Sequence, residues 1–439
     1  MYDMAPPAVY AHESVMANPV YRARVEGVVA ALREPRDIIT YTDRQLPDMI
    51  LKDGILANRV PMHTLSEVRD PILLFNTFRF DGNEREDARR RTLLDHGVPE
   101  GLALNGVLGT GAFHWANYNL KGDPHGHDKV CRPCWRIHLE EGCPHRCTYC
   151  GFGGLLVSMV NVEDYCQHLG RLIERHPWQK TYLLDDDADP PCLEPEFGCL
   201  GHLIEYFGTL EDRYLIIHTK TWNTEWMTSL KHNGNTIIVW SISGPTQSRL
   251  IEPGTGTTEE RVEAARIAQN AGYPIRYKFK PIVPVRNWRD EAAATVKLIF
   301  ERTRPDVISL CCWMWHDVDE MKRRLPADLL DPRCLQAAEE ARDEVKDTRT
   351  RPFPPSLRKE IYDFHFEEIR KYDAGIPVSL STESFSMWHD FSEKLGADAV
   401  NYVCGCGPQS TPGAKKLSCH AFKVAVRNDE GIPGVVDGA

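Results

Sequence analysis

Six strand-like runs, each paired with a helix-like run, restrict the fold of this chain more than any other feature of its sequence. The strand-like runs are "CWRIHLEEG", "KTYLLDDDAD", "YLIIHTKT", "TIIVWSIS", "PIRYKFKPIV" and "DVISLCCWMW". Strands that alternate with helices favour a parallel sheet with helices packed outside it. The glycines of "KHNGN" and "QNAGYP" are typical of helix ends, and "GTTEE" is typical of a helix start. The sequence therefore predicts an α/β fold.

The composition is that of an ordinary globular protein. The chain has 439 residues, of which 42% are hydrophobic and 26% are charged, so it can bury a large core. The amino-terminal segment lacks a basic start followed by an apolar run, and no stretch of about 18 apolar residues occurs. We therefore expect a cytoplasmic protein without a membrane partner. The formal net charge of −11 argues against a general electrostatic grip on nucleic acid.

Three of the fourteen cysteines, Cys143, Cys147 and Cys150, stand at the spacing Cys-x3-Cys-x2-Cys in one short loop after the first predicted strand. In a chain without an export signal, thiols, metal ligands or core positions are expected rather than disulfides. A tetrahedral zinc site needs a fourth ligand, for which only His145 is close. Three thiolates suit an iron–sulfur cluster with one open iron. The spacing favours the cluster, and a zinc knuckle or three buried thiols are the alternatives.

With Tyr149 directly before its last cysteine, this motif resembles the signature of the radical S-adenosylmethionine (radical SAM) superfamily. The resemblance implies a [4Fe–4S] cluster, SAM chelated to its open iron, and an external one-electron donor such as flavodoxin or ferredoxin. It also implies reductive cleavage of SAM to a 5′-deoxyadenosyl radical, which the protein directs at a substrate C–H bond. The six β/α units match the partial (β/α)6 TIM-like barrel of this superfamily, whose chemistry is expected at the carboxyl ends of the strands.

This fold divides the chain into three regions. Residues 1–115 are expected to form a helical or mixed amino-terminal region without a chemical motif. Residues 116–320 are expected to form the partial barrel with its cluster. Residues 321–439 are expected to form a carboxyl-terminal region that completes the active site and contains a Cys-Gly-Cys loop.

Within the superfamily, the stretches "HTKTWNTEWMTSLKHNGNTIIVWSIS" and "IEPGTGTTEERVEAARIAQNAGYPIRYKFKPIVP" resemble the spore photoproduct lyase group, which repairs a thymine dimer in DNA. The resemblance implies SAM contacts from Asp189, Lys220 and Ser241, which follow or end successive strands. It places Tyr149 beside the adenosyl group. Read from the residues alone, Lys220 is equally a surface lysine, Ser241 a strand-end hydroxyl and Asp189 a turn former.

At two positions the chain departs from that group. The lyases return a hydrogen atom from a cysteine just after the second strand, where this chain has Asp186. They also use a tyrosine directly after the last cluster cysteine, where this chain has Gly151. Both members of that relay are missing. Together with the negative net charge, the two departures favour a retained scaffold and a changed substrate.

The fifth strand suggests what binds there. In "IRYKFKP", Arg276, Lys278 and Lys280 alternate with apolar residues, so the three cations share one face of the strand. Buried cations are costly unless they meet carboxylates or an anionic ligand. We expect a small anionic substrate, such as a nucleotide or a sugar. The alternative is that the cations form ion pairs with nearby acidic residues, such as residues 185–187.

Two further groups of histidine and cysteine lie outside the cluster motif. Their members are His125, His127, Cys131 and Cys134 upstream, and Cys404, Cys406, Cys419 and His420 near the carboxyl terminus. The upstream group is a zinc half-site, an extra ligand set for the cluster, or local packing. The cysteines of the two groups either bind a second metal together or are structural. Alternatively, Cys404 or Cys406 supplies the hydrogen atom that Asp186 cannot, because a thiol is a good donor to a carbon radical.

The sequence thus predicts a radical SAM enzyme of lyase, cyclase or isomerase type. It would abstract hydrogen from a small anionic substrate in specialised biosynthesis, with C–C bond formation, rearrangement or epimerisation to follow, and nucleic acid is not expected as a partner. Repair or modification of nucleic acid is the second hypothesis and predicts salt-dependent binding. A non-catalytic metal or redox module is the third, and it predicts a bound metal without SAM cleavage.

Overall fold

The computed structural model describes residues 2–56, 70–101, 103–116 and 129–417. The strands in these ranges are β1 (Val9–His12), β2 (Ile38–Tyr41), β3 (Ile72–Asn76), β4 (Phe113–Ala116), β5 (Cys134–Ile137), β6 (Glu140–Glu141), β7 (Leu155–Met159), β8 (Thr181–Leu184), β9 (Tyr214–Thr219), β10 (Thr236–Ile242), β11 (Ile275–Ile282), β12 (Ile308–Cys312) and β13 (Val378–Leu380). The α-helices are Glu13–Ala17, Pro19–Ala31, Leu46–Leu51, Asn83–Asp95, Ala103–Leu108, Val162–Arg175, Cys199–Gly208, Thr258–Asn270, Trp288–Arg302, Val318–Arg324, Pro332–Glu340, Arg342–Val345, Pro355–Arg370 and Phe385–Leu395. In the described part of the chain, no helix has both the length and the apolar character needed to cross a membrane.

The larger sheet has the strand order β13-β12-β11-β10-β9-β8-β5-β4. Neighbours from β5 to β13 pair in parallel, and β4 closes the edge antiparallel to β5. The mixed α/β architecture with a parallel sheet is therefore confirmed, and each of the six predicted strands is present. β13 adds a further parallel strand beside β12. The sequence did not predict it because three residues are too few to show a strand pattern.

The two faces of the larger sheet carry different groups of apolar residues. One face contributes alternate residues such as Ile238 and Trp240 to the main core, which is shared with the helices. The opposite face, called the inner face below, carries a small separate apolar cluster of Leu183, Ile216, Ile237 and Val239. Because side chains alternate between the faces of a strand, the inner face of β11 is the one that holds its cations.

A second, smaller sheet has the order β2-β1-β3-β7-β6. β1, β2 and β3 come from the region expected to be helical or mixed, whereas β6 and β7 flank the predicted cluster loop. The sheet therefore joins residues on both sides of the expected boundary at residue 115. The buried run Ile72–Asn76 is apolar throughout, and such a run does not distinguish a buried strand from a helix.

Two predicted helix boundaries have different outcomes. The helix Thr258–Asn270 begins at Thr257, whose side chain accepts from the Glu260 backbone N–H at 3.2 Å, so the predicted start is confirmed. The helix expected in "TEWMTSLKHNG" is wrong, because only the 3₁₀ segment Glu225–Ser229 forms there. The Thr228 hydroxyl donates to the Glu225 carbonyl at 2.7 Å, and such local side-chain bonds compete with the helix.

Candidate active site

The loop of residues 142–154 joins β6 to β7 and carries Cys143, Cys147 and Cys150 at the carboxyl end of β5. Backbone hydrogen bonds fix this loop to the segment that follows β10. The N–H of Arg146 donates to the Pro253 carbonyl and the N–H of Thr148 donates to the Ile251 carbonyl, each at 2.9 Å. Residues 251–253, which overlap the "EPGT" segment, thus hold the cysteine loop in place.

Gly142 opens the cysteine loop with a φ of +97°, and a Cβ there would overlap the carbonyl oxygen of Leu155. Gly82 has a similar φ of +93° but has no atom within 4 Å of that position. Gly82→Ala should therefore cost only about 1–2 kcal/mol of backbone strain. Gly142→Ala should cost about 3 kcal/mol or more, because the overlap adds to the strain. Urea unfolding of the two variants measures this difference, and equal losses would contradict the proposed overlap.

The three sulfur atoms of the loop lie farther apart than the ligands of a single zinc ion. Tetrahedral Zn–S bonds of about 2.3 Å would bring the sulfurs within about 4 Å of one another. In the described ranges the group of potential ligands that meets a 4.8 Å limit is His138, Asp185 and Asp187, and the cysteine loop is not part of it. His145, the expected fourth zinc ligand, instead lies 2.9 Å from a carboxylate oxygen of Asp189. The residues present thus offer three thiols and leave one cluster position open.

Lys220 follows β9 and places its ammonium group beside this loop. Its Nζ lies 3.9 Å from the Cys147 sulfur and hydrogen-bonds the Tyr149 hydroxyl. Burial opposes the charged form of Lys220, but Cys147 and Glu252 outweigh it and its pKa is raised. In the protein without a cluster, burial raises the pKa of the Cys147 thiol to about 12. A positive charge beside the sulfur favours the thiolate that a metal cluster needs.

Glu252 ties the cysteine loop to the sheet. One of its carboxylate oxygens accepts from the Tyr149 hydroxyl at 2.6 Å and lies 3.2 Å from the Lys220 ammonium. The other oxygen accepts from Arg261 at 2.7 Å and from Ser243 at 2.9 Å. Although burial favours the neutral acid, Lys220 and Arg261 hold the pKa of Glu252 well below its usual range. The result is a buried network of opposite charges beneath Tyr149.

The other two predicted SAM contacts lie at the same edge of the sheet. Asp189 follows β8 and accepts from the Thr219 hydroxyl at 2.6 Å and from the Lys220 backbone N–H at 2.7 Å. Ser241 lies near the end of β10, where its carbonyl accepts from Arg261 at 3.0 Å. Asp189, Lys220, Ser241 and Tyr149 are thus brought together, as expected if the loops at the carboxyl ends form one site.

The three cations of β11 have different partners. Arg276 is fully buried, pairs with Asp306 at 2.7 Å and donates to the backbone of residues 404–411, so its donors are committed within the protein. Among the described residues, neither Lys278 nor Lys280 lies within 4.0 Å of a carboxylate. The alternative of ion pairs with residues 185–187 does not hold for them, since Asp186 pairs with Arg136 instead.

Both predicted cysteine groups come together in part. Cys131 of the upstream group and Cys406 of the carboxyl-terminal group both interact electrostatically with Cys134, and burial raises the pKa of Cys134 to about 12. The sulfurs of Cys131, Cys134, Cys404 and Cys406 do not form a group within 4.8 Å of one another. The described residues therefore do not form a site for one shared metal ion. The other members, His125, His127, Cys419 and His420, lie outside the described residues.

Sequence reasoning missed Glu252, Arg261 and Asp185. Asp185 is fully buried and accepts from the Leu139 and Glu140 backbone N–H groups at 3.1 Å, which fixes the start of the cysteine loop. The signal for Glu252 was present, because "EPGT" was recognised as a specific segment without a role for its carboxylate. Only the fold brings Arg261, on the next helix, to the other side of that carboxylate.

Comparison with known proteins agrees with this geometry. The family model "Spore photoproduct lyase" matches residues 131–309. The spore photoproduct lyase of Clostridium acetobutylicum is 28% identical over 178 residues, which are 38% of this chain and 53% of that protein. The enzyme of Bacillus subtilis is 28% identical over 163 residues, 36% of this chain and 48% of that protein. The matched region thus spans about half the length of these curated relatives.

Solved structures of spore photoproduct lyase share the fold. A cysteine-to-serine mutant has a TM-score of 0.58 and 16% identity, with 86% of this chain and 99% of that chain covered. A double mutant with bound AdoMet and dinucleoside spore photoproduct has a TM-score of 0.57 and 16% identity, with 87% and 99% covered. At this identity the likeness shows the fold alone.

These findings correct one expectation and support others. The expectation of a small anionic substrate, with nucleic acid not expected as a partner, is wrong, because the solved relative binds a dinucleoside spore photoproduct. The reading as specialised biosynthesis is not supported either. The expected cofactors, a [4Fe–4S] cluster and SAM, are confirmed as those of the group. The core of this chain, residues 131–309, resembles the spore photoproduct lyase-like group of radical SAM proteins.

Proposed function

We propose that this protein is a radical SAM enzyme that acts on a photoproduct-type lesion of nucleic acid. The observation that carries the proposal is the loop of Cys143, Cys147 and Cys150, which is fixed beside Lys220 at the carboxyl end of the larger sheet. It lies within residues 131–309, the part that matches spore photoproduct lyase. Parallel α/β folds of this kind place their chemistry at that end of the strands.

We propose that the three loop cysteines hold the [4Fe–4S] cluster and that Tyr149, Lys220 and Ser241 line the SAM site. When bound, cluster and SAM together supply one-electron cleavage of SAM to a 5′-deoxyadenosyl radical. The protein would orient SAM and exclude water. Asp189 is a positioning residue in this proposal, because its oxygens already accept from Thr219 and Lys220 and hold two strand-end loops together.

The negative net charge does not exclude nucleic acid, because local features near the site favour it. Lys280 lies on β11 with its Nζ 5.1 Å from the ring centre of Trp315. Three large aromatic side chains are exposed on loops that follow strands at the same end of the sheet: Phe152 (40%), Trp222 (48%) and Trp315 (38%). Lysine side chains bind phosphates, and exposed aromatic rings stack with unpaired bases. These features support a substrate whose bases are unstacked.

The proposal is tested with a single-stranded oligonucleotide that carries one spore photoproduct. After anaerobic reconstitution with iron and sulfide, the protein with dithionite and SAM should form 5′-deoxyadenosine and restore two adjacent thymines. Chromatography and mass spectrometry of the oligonucleotide measure both products. An unchanged oligonucleotide together with SAM cleavage would contradict the lesion substrate, although the radical SAM class would stand.

Binding of the same oligonucleotide should weaken as the pH rises above about 8. Burial and then Lys278 lower the pKa of Lys280 to about 8, and Cys311, Cys406 and Cys131 also face it. A bound phosphate would favour the ammonium form and raise this pKa, so binding takes up a proton above pH 8. Affinity should therefore be constant below about pH 8 and fall above it.

Lys280→Gln should lose this pH dependence and bind about tenfold more weakly, which corresponds to about 1.4 kcal/mol. Lys297→Gln is the matched control, because Lys297 is 60% exposed on the helix Trp288–Arg302, away from the site. Fluorescence anisotropy between pH 7 and pH 10 measures both variants. A pH profile that is unchanged in Lys280→Gln would remove Lys280 from the binding surface.

A further inference from the structure

The segment of residues 402–411 folds against the inner face of the larger sheet at the amino ends of its strands. The backbone N–H of Lys180, just before β8, donates to the Pro408 carbonyl at 2.9 Å. Arg276, at the start of β11, donates to the Ser410 carbonyl at 2.8 Å. This segment lies beyond residues 131–309. The inner face of the sheet is therefore covered in part by residues outside the family match.

The tip of the segment carries the Cys406 thiol to the inner face, whereas Cys404 packs against the main core. The Gly405 backbone N–H donates to the Ser309 hydroxyl of β12 at 3.2 Å. Cys406 packs against the inner apolar cluster of β8, β9 and β10. A Cβ at Gly407 would lie 3.0 Å from the Cys404 sulfur and 2.8 Å from the Ser410 hydroxyl, so the turn between the thiols leaves no room for a larger residue. Both cysteines are nevertheless only partly buried.

The two thiols form a polarised pair. Their side chains are hydrogen-bonded to each other, and Cys406 also faces His218 and Lys278. The hydrogen bond from Cys404, with help from Lys278 and His218, lowers the pKa of Cys406 well below its usual value, whereas the same bond and burial raise that of Cys404. Of the two side chains, Cys406 is therefore the one whose thiolate is favoured, and Cys404 is the one that keeps its proton more readily.

The pair lies beneath the candidate active site. His218 is two residues before Lys220, whose ammonium is 3.9 Å from the Cys147 sulfur. Lys278 precedes Lys280 on the same face of β11. By contrast, Asp186 is exposed and ion-paired with Arg136, and the O–H bond of a carboxylic acid is too strong to give a hydrogen atom to a carbon radical. A thiol is thus present near the inner face of the sheet, whereas the loop after β8 has none at position 186.

We propose that Cys404 is the hydrogen-atom donor that quenches the substrate radical, and that Cys406 is the thiolate that captures the resulting thiyl radical. This inference rests on the proposed function. In the first step the S–H bond of Cys404 breaks, a C–H bond forms on the substrate carbon, and a thiyl radical remains. The thiyl radical and the Cys406 thiolate then share three electrons in an S–S bond.

Loss of one electron from that bond, to a one-electron acceptor of the iron–sulfur class, leaves a Cys404–Cys406 disulfide. Two electrons and one proton from a dithiol reductant restore the thiol and the thiolate. Each turnover without such a reductant should therefore produce one disulfide. A pair that acts only in packing would produce none.

The first test needs no turnover. Iodoacetamide should alkylate Cys406 of the wild-type protein at pH 6.5, as located by mass spectrometry, because the thiolate is the nucleophile. Lys278→Met should slow this alkylation at pH 6.5 but much less at pH 9, since its cation favours the thiolate. Mild oxidation with diamide should join Cys404 to Cys406. Equal pH dependence in both proteins, or no disulfide, would overturn the paired assignment.

The second test uses the photoproduct oligonucleotide in D₂O with SAM and dithionite. Wild-type product should carry deuterium at the new C–H bond, because thiol hydrogens exchange with solvent. Cys404→Ser should form at least about tenfold less repaired product for each 5′-deoxyadenosine released. Cys334→Ser, on the helix Pro332–Glu340, is the control and should repair normally.

Two other outcomes would overturn the inference, and they are distinguishable. Deuterium-free product, or a Cys404→Ser ratio equal to that of the wild type, would exclude the donor role while the proposed function stands. No 5′-deoxyadenosine from the wild type would refute the proposed function and the donor role with it. In that case the alkylation and diamide results would still decide whether the two thiols act as a redox pair.

Discussion

A Cys147→Ala variant is expected to release no 5′-deoxyadenosine after anaerobic reconstitution with iron and sulfide and reduction with dithionite in the presence of SAM. Cys147 is the most buried of the three loop cysteines, at 9% exposure, and its sulfur is the one nearest to the Lys220 ammonium. With two thiols left, the loop cannot hold a cluster that needs three protein ligands. Iron and sulfide content and chromatography of the nucleoside measure the loss.

Cys166→Ala is the matched control for this experiment. Cys166 is also buried, at 5% exposure, but it lies on the helix Val162–Arg175, outside the candidate active site. It should keep both cluster and nucleoside release. Undiminished release from Cys147→Ala would contradict the cluster assignment. Tightly bound zinc without SAM cleavage in the wild-type protein would instead favour the non-catalytic metal or redox module.

The second large effect is expected for Glu252→Gln, which keeps the shape of the side chain and removes its charge. Glu252 has 1% of its side chain exposed and balances Lys220 at 3.2 Å and Arg261, which is fully buried, at 2.7 Å. Breaking a buried pair leaves an uncompensated charge, so unfolding should become easier by about 3–5 kcal/mol. Denaturant unfolding measures the change directly.

Glu259→Gln provides the comparison, because it removes the same charge at an exposed site. Glu259 is 54% exposed and lies 3.5 Å from Arg249, which is 58% exposed. Surface pairs contribute little, so this variant should stay within about 0.5 kcal/mol of the wild type. Similar losses in the two variants would show that the Glu252 network does not stabilise the fold. If the Glu252→Gln protein were as stable as the wild type but no longer retained its cluster, the network would position the cysteine loop without stabilising the fold.

Much of the larger sheet was predictable because its strands are apolar, bounded by turn residues and separated by amphipathic helices. The run Thr236–Ile242 and the helix Thr258–Asn270 with its Thr257 cap show this local logic. β7 was not predicted, because "LLVSM" follows the glycine-rich end of the cysteine loop and has no alternating pattern. Its partner β3 is about 80 residues away in sequence, and no local signal reports such a pairing.

The candidate site divides in the same way. The spacing of Cys143, Cys147 and Cys150 indicated the cluster, because metal ligands on one loop are specified by their separation along the chain. The partners of charged side chains were not predictable. On β11, period-2 geometry predicted that Arg276 and Lys280 share a face, but not that Arg276 would bind the backbone of residues 404–411 while Lys280 met no carboxylate among the described residues.

The sequence by itself thus determined the α/β class, the cysteine motif and the group that the core resembles, since each depends on residues that are near one another along the chain. Only the tertiary structure decided that Glu252 lies between Lys220 and Arg261, and that Cys406 packs against the inner face of the sheet beside His218. Those contacts join segments from different strands, helices and the carboxyl-terminal region. Because these groups are buried away from water, their electrostatic interactions are strong and depend on the exact position of each charge and thiol.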